Sequence, residues 1–274
     1  METGFIHAET GGRKIAYRVI GEGTPLILCN RFRGTMDTWD PLFLTALAEN
    51  YKVITFEYTG IGASTGALPT DIVEVARDVK DLADHLSIDQ AVVVGWSYGG
   101  FVAQAATFLY PGLVTRTVLL GTNPPGNNEY PFEQAFLDAA LKPVNDFEDE
   151  IVLFFEPASE ISRNAALASH QRIAPALDIA RIPATPELFQ RYFAGGNTFR
   201  EDPLKFREQF ATTKTPVLVI CGDHDVSFPV ENWFPMIHKI STAQLIIMPQ
   251  TGHGPQHQHP LLVAEYIRAF IANA

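Results

Sequence analysis

The sequence has few of the features that disulfide-stabilised or membrane-spanning proteins need. It contains two cysteines, Cys29 and Cys221, and each ends an apolar run, so we predict that both are reduced core thiols. No run of about 18 apolar residues occurs that could span a membrane. The N-terminus lacks the basic and apolar regions of a signal peptide, and we therefore expect a cytoplasmic protein without membrane contact.

Positive charge is also scarce, because 20 lysines and arginines stand against 31 aspartates and glutamates, for a net charge of −11. This balance argues against nucleic acid as a partner, since that binding needs clustered basic side chains. The pair His257 and His259 could bind a metal ion, but no third ligand is evident, and we interpret the pair as solvated or as capping a helix before Pro260. We expect no metal and no cofactor, a small-molecule substrate, and a monomer or a homodimer.

What the sequence does contain is a strand, a turn and a helix arranged around one serine. An apolar run from Ala91 leads into Gly95-Trp96-Ser97-Tyr98-Gly99-Gly100, and a helical pattern follows. Such a turn strains the backbone of the serine and lifts its hydroxyl clear of the sheet edge, at the positive end of the helix. This context favours a nucleophile over a serine that merely caps the helix.

Short apolar strands alternate with helices on either side of this motif. We predict strands over 26–29, 53–56 and 117–120, and helices over 39–49, 72–86 and 98–110. Residues 4–20 are typical of a hairpin with a turn at Thr10-Gly11-Gly12. The alternation predicts an α/β fold with a mostly parallel central sheet flanked by helices.

The alternation stops after Gly121 and resumes at Pro216. Residues 123–214 carry helical patterns but no convincing strand, which predicts a helical insertion after the sixth strand. We therefore assign residues 1–122 and 215–274 to one α/β core and residues 123–214 to a helical cap. An insertion at this point emerges over the carboxyl ends of the strands, where ligands bind in such folds.

Two later strands supply the partners that a serine nucleophile needs. One strand ends just before Asp223 and Asp225, and the next leads to His253 between two glycines. A serine hydroxyl needs a general base, and the base needs an orienting carboxylate. Because the carboxyl ends of parallel strands share one edge of the sheet, these side chains can converge on Ser97.

These motifs, in the order Ser, Asp and His, resemble the α/β-hydrolase superfamily with a helical cap, and the likeness covers nearly the whole chain outside the cap. The resemblance implies that Ser97 is the nucleophile, His253 the base and Asp225 the acid. We prefer Asp225 to Asp223 because the family's acid follows the strand-ending glycine, here Gly222, by three residues.

The resemblance also implies two backbone N–H groups that stabilise an oxyanion. One belongs to Tyr98, directly after the nucleophile, and the other to Phe32, in the loop after the strand that ends at residue 29. Where the family usually has His-Gly in this loop, the sequence has Asn30 and Arg31. The geometry of the loop is therefore expected to depart from the family pattern.

Arg31 and Arg33 admit two interpretations. A guanidinium could bind a polar or anionic group of the substrate, or the arginines could hold the loop through ion pairs with Asp37, Asp40 or Glu57, which we favour. A second departure is Thr59, which stands where the family often has an arginine, so that Glu57 loses its usual partner. We expect Arg31 or Arg33 to take the place of that arginine.

The resemblance implies cleavage of an ester, lactone, thioester or amide through an acyl-enzyme, and we predict an esterase or lactonase for a small to medium, largely apolar substrate. Trp96 is interpreted as a packing residue. Two alternatives stay open: a lyase or other non-hydrolytic use of the triad, for which the cap offers Lys142 and Lys205, and a receptor-like protein that binds a ligand under the cap. The candidate substrate-contacting residues are Arg31, Asn30, Phe154, Phe189 and Tyr192.

Overall fold

A computed structural model describes residues 3–7 and 12–274, so Thr10 and Gly11 of the predicted hairpin turn lie outside the described residues. The strands are β1 (Gly4–His7), β2 (Lys14–Ile20), β3 (Thr24–Cys29), β4 (Tyr51–Phe56), β5 (Ala91–Trp96), β6 (Val114–Leu120), β7 (Val217–Gly222) and β8 (Ala243–Met248). They form one sheet in the order β1-β2-β4-β3-β5-β6-β7-β8. The pairs β1–β2 and β2–β4 are antiparallel and the other five are parallel, which confirms the mostly parallel sheet predicted from the sequence.

Helices cover both faces of this sheet. They are α1 (Pro41–Ala48), α2 (Ile72–His85), α3 (Tyr98–Leu109), α4 (Gln134–Ala140), α5 (Phe147–Phe154), α6 (Glu160–Ile173), α7 (Pro186–Glu201), α8 (Phe206–Phe210), α9 (Phe234–Ile237), α10 (Pro255–Gln258) and α11 (Pro260–Asn273). Helices α2 and α3 pack on one face, and α1 and α11 pack on the other. A bilayer-spanning helix is absent from the described part of the chain.

The central strands are buried on both faces, which explains their continuous apolar runs. Val92 and Val94 of β5 pack against α1 and α11, whereas Val93 between them packs toward α2 and α3. Cys29 and Cys221, at the ends of β3 and β7, are buried free thiols. Burial raises the pKa of both thiols far above the ordinary value, so they remain protonated.

The helix α2 shows how strongly the local pattern determines the structure. Its carboxylate cap, Asp71, accepts a hydrogen bond from the backbone N–H of Val73, and the buried side of the helix carries Val75, Val79 and Leu82. The described helix ends at His85, one residue before the predicted end.

Residues 123–214, called the helical segment below, lie between β6 and β7. They contain α4 to α8 and no strand. Helix α7 runs through Gly195 and Gly196 to Glu201 without a break. Here a glycine packs rather than breaks the helix, since a Cβ on Gly195 would lie 2.5 Å from the hydroxyl of Tyr98.

Candidate active site

Ser97 occupies a strained turn between β5 and α3. Its backbone lies in the left-handed region, with φ 60° and ψ −121°. The turn is held from both sides, because the N–H of Ser97 donates to the carbonyl of Leu120 and its carbonyl accepts from the hydroxyl of Thr122 at 2.8 Å. The chain approaches so closely here that a Cβ on Gly99 would collide with the carbonyl oxygen of Cys29.

Asp225 and His253 form a buried pair at the ends of β7 and β8. The Nδ1 atom of His253 lies 2.8 Å from Oδ2 of Asp225. The other oxygen of Asp225 accepts the backbone N–H groups of Ser227 and Phe228, each at 2.8 Å. The carboxylate is therefore fixed by three hydrogen bonds, which orients the imidazole ring.

The loop around His253 is fixed from two further directions. The indole N–H of Trp96 donates to the carbonyl oxygen of His253 at 2.8 Å, so Trp96 serves as a packing and positioning residue. Asp223 lies at the surface, where it accepts the N–H of Thr251 at 3.2 Å and contacts Nδ1 of His224. Of the two acids considered from the sequence, Asp225 contacts His253, and Asp223 supports the loop.

The backbone N–H groups of Phe32 and Tyr98 are free to bind an oxyanion. Neither has an intramolecular acceptor within residues 3–7 and 12–274. The two groups belong to adjacent segments, since Gly99 packs directly against the carbonyls of Cys29 and Asn30. Helix α3 begins at Tyr98, so its dipole adds positive potential at the same point.

Two cavities meet at Ser97. The larger has a volume of about 210 Å³, and half of the residues that line it are aromatic, among them Phe101, Phe132, Phe136, Tyr192, Phe193, Phe199 and Phe228. The smaller has a volume of about 20 Å³ and is lined by Arg31, Phe32, Arg33, Phe136, Leu153, Phe154 and His253, among others. Ser97, Phe32 and Phe136 line both.

The five candidate contact residues fall into two groups. Tyr192 lines the larger cavity, and Arg31 and Phe154 line the smaller one. Asn30 and Phe189 line neither. Asn30 instead braces the loop after β3, donating its amide N–H to the carbonyl of Phe56 at 2.7 Å, and Phe189 packs against the ring of Phe32.

The expected ion pairs of Arg31 and Arg33 are wrong. The acids named as partners are engaged elsewhere: Asp37 pairs with Arg18, Asp40 pairs with Arg172, and Glu57 accepts the N–H groups of Met36 and Ala63. The idea that Arg31 or Arg33 replaces the family's arginine beside Glu57 is therefore wrong as well. Burial raises the pKa of Glu57, and the two N–H donors oppose that effect.

Each arginine has neutral partners instead. The guanidinium of Arg31 lies over the rings of Phe154 and Trp96, at 4.5 and 5.3 Å from their centroids, and donates to the carbonyl of Phe32 at 2.7 Å. The guanidinium of Arg33 donates to five oxygens of the helical segment: the carbonyls of Ala140, Lys142, Pro143 and Pro183, and the side chain of Asn145.

Thr59, in place of the family's arginine, makes a different buried contact. Its N–H and hydroxyl donate to the two carboxylate oxygens of Asp78, at 2.7 and 2.8 Å, and Arg13 lies 3.3 Å from the same carboxylate. Burial raises the pKa of Asp78 to about 6 despite these donors. The sequence pattern gave no sign of this partner, which lies on α2.

The prediction that His257 is solvated is also wrong. Its ring is buried, packs 4.5 Å from the ring of Trp96, and contacts the hydroxyl of Ser169 through Nδ1 at 3.4 Å. Burial lowers the pKa of His257 to about 3, so the imidazole is neutral at ordinary pH. His259 is half-buried, and Nε2 lies 3.3 Å from the hydroxyl of Thr251.

Comparison with known proteins identifies the family of the fold. The sequence profile described as alpha/beta hydrolase fold matches residues 24–260. The chain is 30% identical over 275 residues to the dihydrolipoyllysine-residue acetyltransferase component of the acetoin cleaving system of Pseudomonas putida, covering 96% of this chain and 68% of that protein. It is 24% identical over 248 residues to the putative carbamate hydrolase RutD of Serratia proteamaculans, covering 87% and 88% of the two chains. An alpha/beta hydrolase fold protein from Chitinophaga pinensis superimposes with a TM-score of 0.85 at 26% identity, over 99% of this chain and 98% of the other.

Proposed function

The chain belongs to the α/β-hydrolase fold family, and from this premise we propose that it is a serine hydrolase that cleaves a carboxylic ester or lactone. The observation that carries the proposal is the buried pair of His253 and Asp225 beside a serine in a left-handed turn. A structural histidine needs no buried carboxylate aligned on Nδ1, whereas a general base does.

In this proposal Ser97 attacks the carbonyl carbon of the substrate while Nε2 of His253 takes the proton of the hydroxyl. The imidazolium that forms keeps its Nδ1–H on Asp225, 2.8 Å away, which stabilises the added charge. The N–H groups of Tyr98 and Phe32 bind the oxygen of the tetrahedral intermediate. His253 then passes the proton to the leaving alcohol, and an acyl-enzyme remains on Ser97.

Water completes the reaction by the same steps in reverse. His253 removes a proton from a water molecule, which attacks the acyl carbonyl, and the proton then returns to the oxygen of Ser97. The carboxylic acid is released, and His253 is again neutral.

The larger cavity favours a small to medium, largely apolar group on the substrate. Its volume of about 210 Å³ and its aromatic walls suit such a group, and several of those walls belong to the helical segment. We propose that residues 123–214 form a cap over a core of residues 1–122 and 215–274, and that the cap selects the substrate.

The lyase alternative gains no support from the lysines of the proposed cap. Lys142 lies 2.6 Å from a carboxylate oxygen of Asp149, and Lys205 lies 3.5 Å from one of Glu208. Neither lysine lines either of the two cavities. The receptor-like alternative predicts binding without turnover, and the experiment below separates it from hydrolysis.

The test is hydrolysis of a panel of chromogenic esters and lactones by the wild type and by Ser97→Ala. We expect turnover that falls about 10⁴-fold or more in Ser97→Ala, because the covalent step is lost. An organophosphate should label the wild type once, at Ser97, as read by mass spectrometry. Ser241→Ala, an exposed serine, is the matched control and should retain both turnover and labelling. Equal turnover in the wild type and Ser97→Ala, or no labelling and no turnover in the wild type, would overturn the proposal.

A further inference from the structure

The smaller cavity beside Ser97 holds two guanidinium groups and no carboxylate. Arg31 and Arg33 line it together with Ser97 and His253, and most of the remaining wall is apolar. Within the described part of the chain, neither arginine forms a salt bridge with an aspartate or glutamate. This concentration of positive charge is unusual in a protein whose net charge is −11.

The two arginines differ in how well their N–H groups are used. Arg33 donates through all three of its nitrogens to oxygens of the helical segment, so its hydrogen-bonding capacity is largely taken. Arg31 donates one hydrogen bond, to the carbonyl of Phe32, and its Nε atom is buried without an acceptor. Most of the five N–H groups of Arg31 thus have no acceptor among the described residues, so this guanidinium, unlike that of Arg33, keeps donors that a ligand could use.

Arg31 retains its positive charge in this position. Burial and the neighbouring charge of Arg33 lower its pKa to about 10, against the opposing effect of Glu150, which is not close enough for a salt bridge, and the guanidinium stays protonated at neutral pH. The rings of Phe154 and Trp96 hold the guanidinium in place by cation–π contact, but they do not neutralise it. The cavity therefore presents a fixed cation close to the nucleophile.

Building on the proposed hydrolase function, we propose that the smaller cavity binds a carboxylate of the substrate through Arg31. Its volume of about 20 Å³ has room for about one or two water-sized groups, which suits a carboxylate better than a larger anion. Because Ser97 lines both cavities, the carboxylate lies within a few bonds of the scissile carbonyl while the apolar part of the substrate fills the larger cavity. The substrate class is thus a monoanionic ester or lactone, such as a monoester of a short dicarboxylic acid.

The first test compares two esters of the same shape and different charge. Benzyl hydrogen succinate carries a carboxylate, and benzyl levulinate replaces it with a neutral methyl ketone. We expect the wild type to hydrolyse the anionic ester with a kcat/KM about 100-fold higher, as for a buried charge-assisted contact. Equal values for the two esters would overturn the carboxylate subsite and leave the hydrolase function standing.

The second test changes the arginine. In Arg31→Met the ratio of the two kcat/KM values should fall to near one. In Arg31→Lys the ratio should be intermediate, because lysine keeps the positive charge but lacks the paired N–H donors of the guanidinium group. Arg163→Met removes an exposed arginine paired with Glu148 and is the matched control, with the ratio of the wild type. A ratio unchanged in Arg31→Met contradicts the proposal even if the activity on both esters drops.

A binding measurement separates failure of the subsite from failure of the chemistry. Calorimetry of each intact ester with Ser97→Ala gives the two dissociation constants without turnover. Tighter binding of the anionic ester, lost when Arg31→Met is added, supports the subsite even if the wild type hydrolyses neither ester. Equal affinities for the two esters overturn it, whatever the outcome of labelling at Ser97.

Discussion

The two sides of Ser97 differ in how completely their polar groups are paired. On the side of His253 and Asp225, the imidazole Nδ1, both carboxylate oxygens and the carbonyl of His253 all have hydrogen-bond partners. On the side of the loop after β3, the buried atoms Oδ1 of Asn30, Nε of Arg31 and Oγ1 of Thr35 have none in the described structure. The groups that orient the imidazole are therefore paired within the core, whereas the loop after β3, which leads to the proposed oxyanion donor Phe32, keeps unpaired polar atoms.

The sides also differ in where their support comes from. Asp225 and His253 are held by neighbours in their own loops and by Trp96 at the end of β5. The loop after β3 is anchored by Arg33, whose acceptors lie more than 100 residues away in the helical segment. Arg33 also has a left-handed backbone, with φ 60°, next to the proposed oxyanion donor Phe32. The geometry of this side thus depends on the position of the helical segment.

The largest effect is expected from a substitution that disrupts the hydrogen bond between Asp225 and His253. Asp225→Asn replaces a carboxylate whose two oxygens accept from three donors with an amide, which has only one acceptor oxygen. We expect kcat to fall by about 10³ to 10⁴-fold, because the imidazole loses its orientation and the stabilisation of its charged form. The measurement is steady-state hydrolysis of the best ester, with circular dichroism to verify folding.

Asp223→Asn is the control for this experiment. It changes a carboxylate two residues earlier in the same loop, at the surface, which contacts Thr251 and His224 and not His253. We expect a loss of kcat below about tenfold, since this carboxylate acts on His253 through the loop alone. Equal losses in the two variants would show that the contact with His253 is not what matters.

A smaller effect is expected when the loop after β3 loses its anchor, Arg33. Arg33→Ala leaves the acceptors of Arg33 in the helical segment unpaired, and we expect the free energy of unfolding to fall by about 3 kcal/mol. We expect kcat/KM to fall by about 100-fold in addition, because the N–H of Phe32 is displaced. Urea unfolding and ester hydrolysis measure the two quantities.

Arg207→Ala is the matched control, since Arg207 also donates to oxygens of the helical segment, those of Pro125, Asn127 and Asn128. It lies on α8, away from the loop after β3. We expect it to reduce stability and to leave kcat/KM within about tenfold, because its acceptors adjoin the larger cavity and not the loop that carries Phe32. A similar loss of kcat/KM in both variants would contradict a special link between Arg33 and the oxyanion site.

This difference between the sides also explains what the sequence could predict. Ser97, Asp225 and His253 each follow an apolar strand of the sheet, and parallel topology brings strand ends to one edge, so a local pattern and one topological rule were enough to group them. The alternation of strands and helices was predictable for the same reason, because each element has its own pattern of apolar residues in the sequence.

The contacts of the arginines and of His257 could not be predicted in this way. Their partners lie on elements remote in sequence: Arg33 meets Pro183, and His257 meets Ser169. The packing of the helical segment on the core decides those contacts, and no periodicity within either element encodes it. The charge of Arg31 suggested an ion pair, but the nearby acids had partners that the sequence did not reveal.

The smallest expected effect concerns His257, which packs against Trp96 between the two sides of Ser97. The groups around this imidazole are Asp40, Arg31 and Arg172, and burial lowers its pKa from 6.5 to about 3. Between these values the unfolded chain binds one more proton than the folded protein, so the free energy of unfolding falls as the pH falls. At up to about 1.4 kcal/mol per pH unit, lowering the pH from 7.5 to 5 costs roughly 2 kcal/mol.

His257→Phe keeps a buried ring and removes the titrating group. As the pH falls from 7.5 to 5, the free energy of unfolding of His257→Phe should therefore fall by roughly 2 kcal/mol less than that of the wild type. Urea unfolding at several pH values measures the difference. His238→Phe replaces an exposed histidine and should follow the pH dependence of the wild type. If the wild type and His257→Phe lose stability in parallel as the pH falls, burial between Trp96 and Ser169 does not hold the imidazole neutral, and this prediction is wrong.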